Sequence, residues 1–250
     1  MSLLAALLVL LAGLVVGATS IGGIIVVPVL TELAGVPLQE AIAASSFGFL
    51  FTGAAAIFLQ GIAAQVTRSK SPPLFARLYG AALIGAALGA LTLSWLPPAL
   101  ARSVIAALAV LSGLVAMSRS EPAWTPGAVQ YPQRTSTLIT LGVVVGCASA
   151  WSGTGGPVLL LPILMLARVP TALSIELAQG IQLPIAAAAT AVNLLKGTLN
   201  FQLGLKLGML LLFGWAVGRI WSRRLPLFVL RQLIAWVIIA VGLWYGWQSF

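Results

Sequence analysis

Eight apolar runs, almost free of charge, take up most of the sequence, at about 3–34, 41–60, 74–95, 98–118, 137–167, 171–196, 203–219 and 226–247. A bilayer's hydrocarbon core is about 30 Å thick and needs roughly 20 apolar helical residues to cross it. Of 250 residues only 7% are charged, against about 25% in a soluble domain, and mean hydropathy is +1.10. Such a chain cannot clothe a globular surface in water, so the sequence predicts an all-α integral membrane protein. The separators are turn-like or charged: Val36-Pro37, Ser71-Pro72-Pro73, Pro97-Pro98, the stretch 119–136, Val169-Pro170 and Arg223-Arg224-Leu225-Pro226.

Composition also removes whole classes of chemistry. All four acidic residues are glutamates (Glu32, Glu40, Glu121, Glu176), and neither Asp nor His occurs. Aspartyl and Ser-His intramembrane proteases, His/Asp metal transporters and zinc enzymes therefore lack their residues. No general base and nucleophile pair is visible, so an enzyme is not expected, and no cofactor is implied. Cys147 stands alone and allows no intramolecular disulfide. The net charge of +9 comes from cations scattered between apolar runs. These read as loops on the cytoplasmic side, with no nucleic-acid partner. The first run lacks a basic n-region and is reused in a repeat, so it reads as part of the folded protein and not as a signal peptide.

The repeat has three landmarks in order. Gly13-Leu14-Val15-Val16-Gly17 recurs as Gly142-Val143-Val144-Val145-Gly146. Gly22-Gly23 through Pro28-Val29-Leu30 recurs as Gly156 through Pro162-Ile163-Leu164, and Val36-Pro37 answers Val169-Pro170. The offset grows from 129 residues at the first glycines to 134 at the prolines, with the extra residues around Trp151-Ser152-Gly153. Residues 1–118 then form a first repeat, 119–136 a cytoplasmic linker and 137–250 a second repeat, together one membrane domain.

In each copy the opening run is too long for one ordinary crossing and is broken by residues poor in helix propensity, Ala18–Gly23 and Ser149–Gly156. Each flank has roughly 14–16 residues, about 21–24 Å, which is short of a full crossing. Charge decides how to fold these runs. As hairpins returning to their own side, they place Arg68, Lys70, Arg77, Arg119, Arg134, Arg168, Arg219, Arg223, Arg224 and Arg231 together, leaving Arg102, Lys196 and Lys206 opposite. As single crossings they divide the same thirteen cations seven to six. The positive-inside rule selects hairpins. The predicted architecture is two inverted repeats, each a broken re-entrant helix hairpin plus three transmembrane helices. Both termini fall on the side away from the cytoplasm, the periplasmic side in a cell that has one. Transporters built this way hold their site near the midplane, where broken helices meet.

At each tip a second half-helix is expected to begin, near Ile24 and near Pro157. A helix N-terminus presents unmatched N–H groups and partial positive charge, and so makes an anion site without a basic side chain. Glycine at Gly22, Gly23, Gly153, Gly155 and Gly156 lets an anion approach the backbone, and Thr19, Ser20, Ser152 and Thr154 add hydroxyls. In the helix that follows the second tip, Gln179, Gln182, Thr190 and Asn193 share one face, which should look into the bundle or a cavity. Ser45, Ser46 and Thr52 are their smaller counterparts in the first half. Trp151 lies at the second tip, either as a packing wedge or lining the site.

Structural readings stand beside these. Gly13, Gly17, Gly142 and Gly146 have small-xxx-small spacing and read as helix contacts; Gly142→Ala is therefore expected to be far milder than Gly156→Val. The Gln/Asn stripe also fits plain interhelical hydrogen bonding. Glu40 and Glu176 sit in first turns, where a carboxylate suits the helix dipole; they are also the only acids placed to assist proton coupling. Lys196 and Arg102 read as snorkelling cations or as an attracting mouth for an anion. Trp95, Trp221, Trp244 and Trp247 read as interface anchors. Beyond the lipid bilayer and a small anionic substrate, the expected partners include a second copy of the chain in a homo-oligomer.

The paired pattern resembles the TauE/SafE family of sulfite exporters, bacterial inner-membrane permeases. The residues that carry it are Gly17 through Gly22-Gly23 to Pro28-Val29-Leu30, then Gly35 and Ala43-Ala44-Ser45-Ser46, with a second copy from Gly146 through Gly155-Gly156 to Pro162. The resemblance spans nearly the whole chain. It implies export or exchange of small sulfur oxyanions and organosulfonates such as sulfite or sulfoacetate, with the two Gly-rich tips and the polar residues after them forming the site. Ile21 stands where the family carries a fuller glycine run. The expected function is an alternating-access carrier of such anions around a midplane site; a passive anion channel and a non-transporting membrane scaffold are the alternatives.

Overall fold

The computed structural model describes residues 2–67, 73–97, 135–167, 169 and 171–221, with isolated helical residues between 99 and 114 and between 232 and 247. The runs expected at 98–118 and 226–247 and most of the linker 119–136 lie outside the described residues. Every described element is helical. They are α1 (Leu3–Thr19), α2 (Gly22–Leu33), α3 (Leu38–Thr67), α4 (Pro73–Thr92), α5 (Thr135–Ser152), α6 (Pro157–Leu166), α7 (Thr171–Leu195) and α8 (Phe201–Trp221). Five are long and apolar enough to cross a membrane: α3, α4, α5, α7 and α8. The two long opening runs each appear as a pair of helices, α1 with α2 and α5 with α6.

The break in each run has a local cause. Ser20 takes a left-handed conformation (φ 70°), and its N–H closes α1 by donating to the Val16 carbonyl at 2.8 Å. The chain then turns through a 3-10 stretch, Gly22–Ile25, before α2 proper, whose last turn, Val29–Leu33, widens to a π-helix after Pro28. In the second copy Gly153, Gly155 and Gly156 have φ of 64°, 78° and 104°, which only glycine adopts without strain. Pro157, with no N–H to match, opens α6. The leading arms outrun the expected 14–16 residues: α1 has 17 and α5 has 18, while α6 has only 10. Hydroxyls near the tips explain the extension. Thr19 Oγ1 donates to the Val15 carbonyl (3.0 Å) and Ser152 Oγ to the Ala148 carbonyl (2.8 Å). Bonded back into their own helices in this way, they are carried as helix up to the break.

Glycine contacts fix how the helices run. A Cβ on Gly13 would stand 2.6 Å from the Leu211 carbonyl oxygen, and one on Gly17 would strike the Trp215 backbone; in return Gly214 lies against Leu10 and Gly218 against Leu14. Both helices advance together, so α1 and α8 are parallel. Gly142 packs on Leu78 and Gly146 on Ala82, while Gly85 packs on Val143 and Gly89 on Cys147, making α5 and α4 parallel in the same manner. Gly204 on Phe47 and Gly208 on Phe51 set α3 parallel to α8. Tyr79 Oη donates to the Leu177 carbonyl (3.3 Å), and Lys196 Nζ to the carbonyls of Ala90 (2.9 Å) and Leu91 (2.6 Å), which sets α4 parallel to α7. Glu40, at the start of α3, meets Asn200 just past the end of α7, while Gly53 packs on Leu183, so α3 opposes α7. Thus α1, α3 and α8 run one way and α4, α5 and α7 the other. Since α1 and α3 are parallel, the chain between them runs back along α2; α6 does the same between α5 and α7.

Two cores result, one around Val9, Val16, Ile24, Leu30, Phe49, Leu207 and Leu211, the other around Leu78, Ala82, Val145, Leu160, Ile181 and Ile185. Outward faces stay apolar, as at Leu7, Leu11, Ile84, Leu88, Leu91 and Phe213, which suits lipid. In lipid, packing and not water exclusion holds helices together, and small residues let backbones close up. A Cβ on Gly142 would come within 2.6 Å of the Leu78 carbonyl oxygen and 2.8 Å of Ala81 Cβ, so Gly142→Ala is costly to this packing.

Gly146→Ala is expected to destabilise by about 1–3 kcal/mol, the range for overpacking, and to lower the thermal midpoint of detergent-purified protein. Gly80→Ala, where a Cβ meets nothing within 4 Å, is expected not to lower it. Equal midpoints for the two variants would contradict the close-approach geometry.

Candidate functional site

The two interruptions touch. A Cβ on Gly23 would lie 2.6 Å from the Thr154 carbonyl oxygen and 2.9 Å from Phe49 Cζ, and one on Gly155 would lie 3.1 Å from the same ring at Cγ. Phe49 is fully buried and stands between the first tip and the second. Gly155 also neighbours Gln182, whose Nε2 would be 3.2 Å from its Cβ, while Gly156 faces Ile181 and Ile185. Phe49 and Gln182 both lie near the middle of the apolar spans Leu38–Leu59 and Leu173–Leu195. The tips therefore meet halfway along the two opposed central helices, α3 and α7. Leu159 and Leu160 donate their N–H groups to the Gly156 carbonyl (3.2 and 3.1 Å), which sets the first turn of α6 at this meeting point.

Polar groups around the tips are buried, and several have no partner. The Oγ atoms of Ser20, Ser45 and Ser149, Oε1 of Gln182, Oγ1 of Thr190 and Nε1 of Trp215 are buried without a hydrogen bond. An unmatched buried polar atom costs about 1–3 kcal/mol, so each marks a position where water or a ligand completes the bonding; Ser149 and Gln182 stand at the second break itself. Ser149 adjoins Gly156, 3.8 Å from Oγ to the position a Cβ would take. Pro184 adds to the polarity of α7, since it leaves the Gly180 carbonyl without its helical donor one turn back.

The sequence-named residues sort into three groups. Gly23, Thr154, Gly155, Gly156 and Gln182 come together, and Gly153 packs on Val27 and Ile42 at the same junction. A second group is buried but already engaged. Ser152 Oγ bonds Thr154 Oγ1 at 2.9 Å, Ser46 Oγ donates to the Ile42 carbonyl at 2.9 Å, Thr52 Oγ1 donates to the Phe49 carbonyl at 3.3 Å, and Thr19 is bonded back into α1. Gln179 accepts from Arg219 Nη1 at 2.9 Å. A third group points away. Gly22 faces Ala12 and Val15 of its own hairpin. Asn193 lies roughly 16 Å along α7 from Gln182 at 1.5 Å per residue, and its Oδ1 accepts from Thr198 Oγ1 at 3.3 Å. The Trp151 indole turns to α4 and donates to Thr92 Oγ1 at 3.0 Å, so it fills the wedge role.

The periphery is equally defined. Lys196 Nζ holds the carbonyls of Ala90 and Leu91 and Ser94 Oγ (3.2 Å), capping the end of α4; three acceptors match its three N–H groups, leaving none for an anion. Asn200 donates Nδ2 to Glu40 Oε1 at 2.9 Å and accepts from the Leu203 N–H at 3.1 Å. Both residues line an open cleft of about 430 Å³ with Pro37, Gln39, Gly197, Thr198 and Leu199. The cleft stands at the end of α3 from which Phe49 is roughly 14 Å away along the helix axis. Among the described residues no three His, Cys, Asp or Glu side chains gather as a metal site.

Phe49, Ser149 and Arg219 were not singled out from sequence as site residues. Phe49 and Ser149 carried no signal beyond their apolar or small character. The glycine pair of α8 did carry one: Gly85 and Gly89 recur as Gly214 and Gly218 at the same 129-residue offset as Gly13 and Gly142.

Opposed parallel sets of apolar helices, with two broken helices meeting between them beside unmatched polar atoms, define a polytopic membrane transport protein. The match to a family model bears on which one. The model for the sulfite exporter TauE/SafE family matches residues 5–245, and the chain belongs to that family. No curated protein and no solved structure matches it.

Ser20→Gly is expected to raise the thermal midpoint, because glycine relieves a left-handed residue by about 1 kcal/mol and removes an unmatched buried hydroxyl. Ser20→Val should lower it. A fall for Ser20→Gly would contradict the left-handed cap.

Proposed function

We propose that this exporter-family chain carries small sulfur oxyanions or organosulfonates, such as sulfite or sulfoacetate, by alternating access around the junction of its two helix breaks. In this reading residues 1–118 and 137–250 are inverted repeats joined by a cytoplasmic linker, both termini face the periplasm, and the protein sits in the inner membrane. The observation that carries the reading is the contact of Gly23 with the Thr154 carbonyl beside Gln182 and the first turn of α6. The opposed directions of α1 and α3 against α5 and α7 support the inversion.

The chemistry follows from what surrounds the junction. An anion gains from the positive end of the α6 dipole and from glycine backbone that lets it come close. Hydroxyls donate to its oxygens, and the Ser149 and Ser45 groups have donors to give. No carboxylate of the described residues stands at the junction to repel it. Rocking of one set of helices against the other around the junction would open it in turn to each side.

The test is counterflow. Proteoliposomes loaded with unlabelled sulfite under anaerobic conditions are expected to show a transient overshoot of external radiolabelled sulfite, which a passive channel does not give. Gln182→Leu keeps the bulk of the side chain and should cut the initial rate about tenfold or more, the value of one or two lost hydrogen bonds in a charged complex. Gly156→Val forces a branched residue into φ 104° and towards Ile185 Cδ1, 2.6 Å from a Cβ, and should abolish the overshoot. Parental counterflow in both variants would remove the junction as the site.

A further inference from the structure

Arg219 occupies a position that an ordinary loop cation does not. The register of Gly13 on Leu211 and Gly17 on Trp215 puts the next turn of α8, which holds Arg219, level with the end of α1 at Thr19 and Ser20. Its guanidinium does not simply extend outward. Arg219 is half-buried, its Nη1 donates to the buried Gln179 Oε1 on α7 at 2.9 Å, and its Cζ stands 5.5 Å from the centre of the Trp215 ring. Beside it the buried Trp215 Nε1, one turn earlier on α8, has nothing to bond, and level with it in the register of α1 on α8 the buried Ser20 Oγ is likewise without a partner. Donors without acceptors, gathered with a cation, describe a place completed by an acceptor-rich, negatively charged ligand.

Resting on the transport reading above, we infer that Arg219 is an oxyanion-binding residue, pairing with the transported anion where α1 ends and releasing Gln179 as it does so. A guanidinium presents a planar fork that matches two oxygens of a sulfite or sulfonate group, and a charged acceptor bonds it about twice as strongly as a neutral amide. Gln179 is therefore one of the groups that hold the guanidinium, and it yields its share of the fork to an arriving anion. Lys196, the other cation resolved beside α7, is excluded from this role because its three N–H groups are matched at the end of α4.

The experiment uses the full chain in two assays: half-saturation and maximal rate of radiolabelled sulfite counterflow in proteoliposomes, and the thermal midpoint in detergent with and without sulfite. Arg219→Gln is expected to raise half-saturation about tenfold or more, with a much smaller change in maximal rate. It should also weaken the sulfite-dependent rise in midpoint. Arg219→Lys keeps the charge without the fork and is expected to raise half-saturation by a smaller, severalfold amount; it carries the test if Arg219→Gln does not fold. Half-saturation equal to the parent's in the folded variant, or a loss of maximal rate alone, overturns the role of Arg219 while leaving parental transport intact. A parent that shows neither counterflow nor stabilisation by sulfite overturns the transport reading itself, and this inference with it.

Discussion

Backbone polar groups have no water to turn to inside a bilayer, so a broken helix survives there only when protein surrounds the break or a polar cavity adjoins it. Everything in this chain is arranged around two such breaks. Each lies against the other, at Gly23 and Thr154, and is walled by the two central helices through Phe49, Ile181, Gln182 and Ile185. The leading arm of each broken run reaches this junction by lying on a helix distant in sequence, α1 on α8 and α5 on α4. Glycines on both partners close the gap until backbones touch. The four-residue glycine steps do more than permit packing. By fixing register and direction, they deliver both tips to one place.

This exchange of arms also bears on why the contact between the two breaks is polar without being charged. The sides of the junction come from helices whose other faces meet lipid, and a bare charge held there would have to be matched or lifted out of water at several kcal/mol. The chain instead supplies helix ends, glycine backbone, hydroxyls and the Gln182 amide. Lys196 closes α4, and Arg219 stands at the last turn of α8, where a positive charge also suits the helix dipole. Glu40 is tied to Asn200 at the opposite end from Arg219, so acid and base mark different sides of the junction.

Much of this was readable from residue pattern alone. Among the described residues the apolar runs fall where the long helices are, the breaks at Ser20–Gly23 and Gly153–Gly156 follow from glycine and a left-handed cap, and the polar stripe of α7 is buried along its length. What the pattern could not give was partnership. Small-xxx-small spacing at Gly13/Gly17 says that some helix comes close, not that it belongs to the other half. Nor does spacing say how hard it presses, as the Leu78 carbonyl does on Gly142. The leading arms run longer than the pattern suggested, since Thr19 and Ser152, poor helix formers, still lie in the last helical turns with their hydroxyls bonded to carbonyls of their own helices. Trp151 and Asn193 sit in the right segments, but their bonds run to Thr92 and Thr198, a matter of side-chain direction that sequence distance does not encode.

The doubling back of both broken runs is the claim on which the opposed halves and the shared junction rest, and side-specific labelling measures it most directly. In a Cys147→Ser background, single cysteines replace the exposed residues Ser2 and Gln39, which flank the first hairpin, and Ser136 and Ala167, which flank the second. A membrane-impermeant maleimide added to sealed vesicles of known orientation should label Ser2→Cys and Gln39→Cys from one side, and Ser136→Cys and Ala167→Cys from the other. Labelling of Ser2→Cys and Gln39→Cys from opposite sides would mean that the first run crosses the membrane once, which contradicts both the hairpin and the opposed halves built on it.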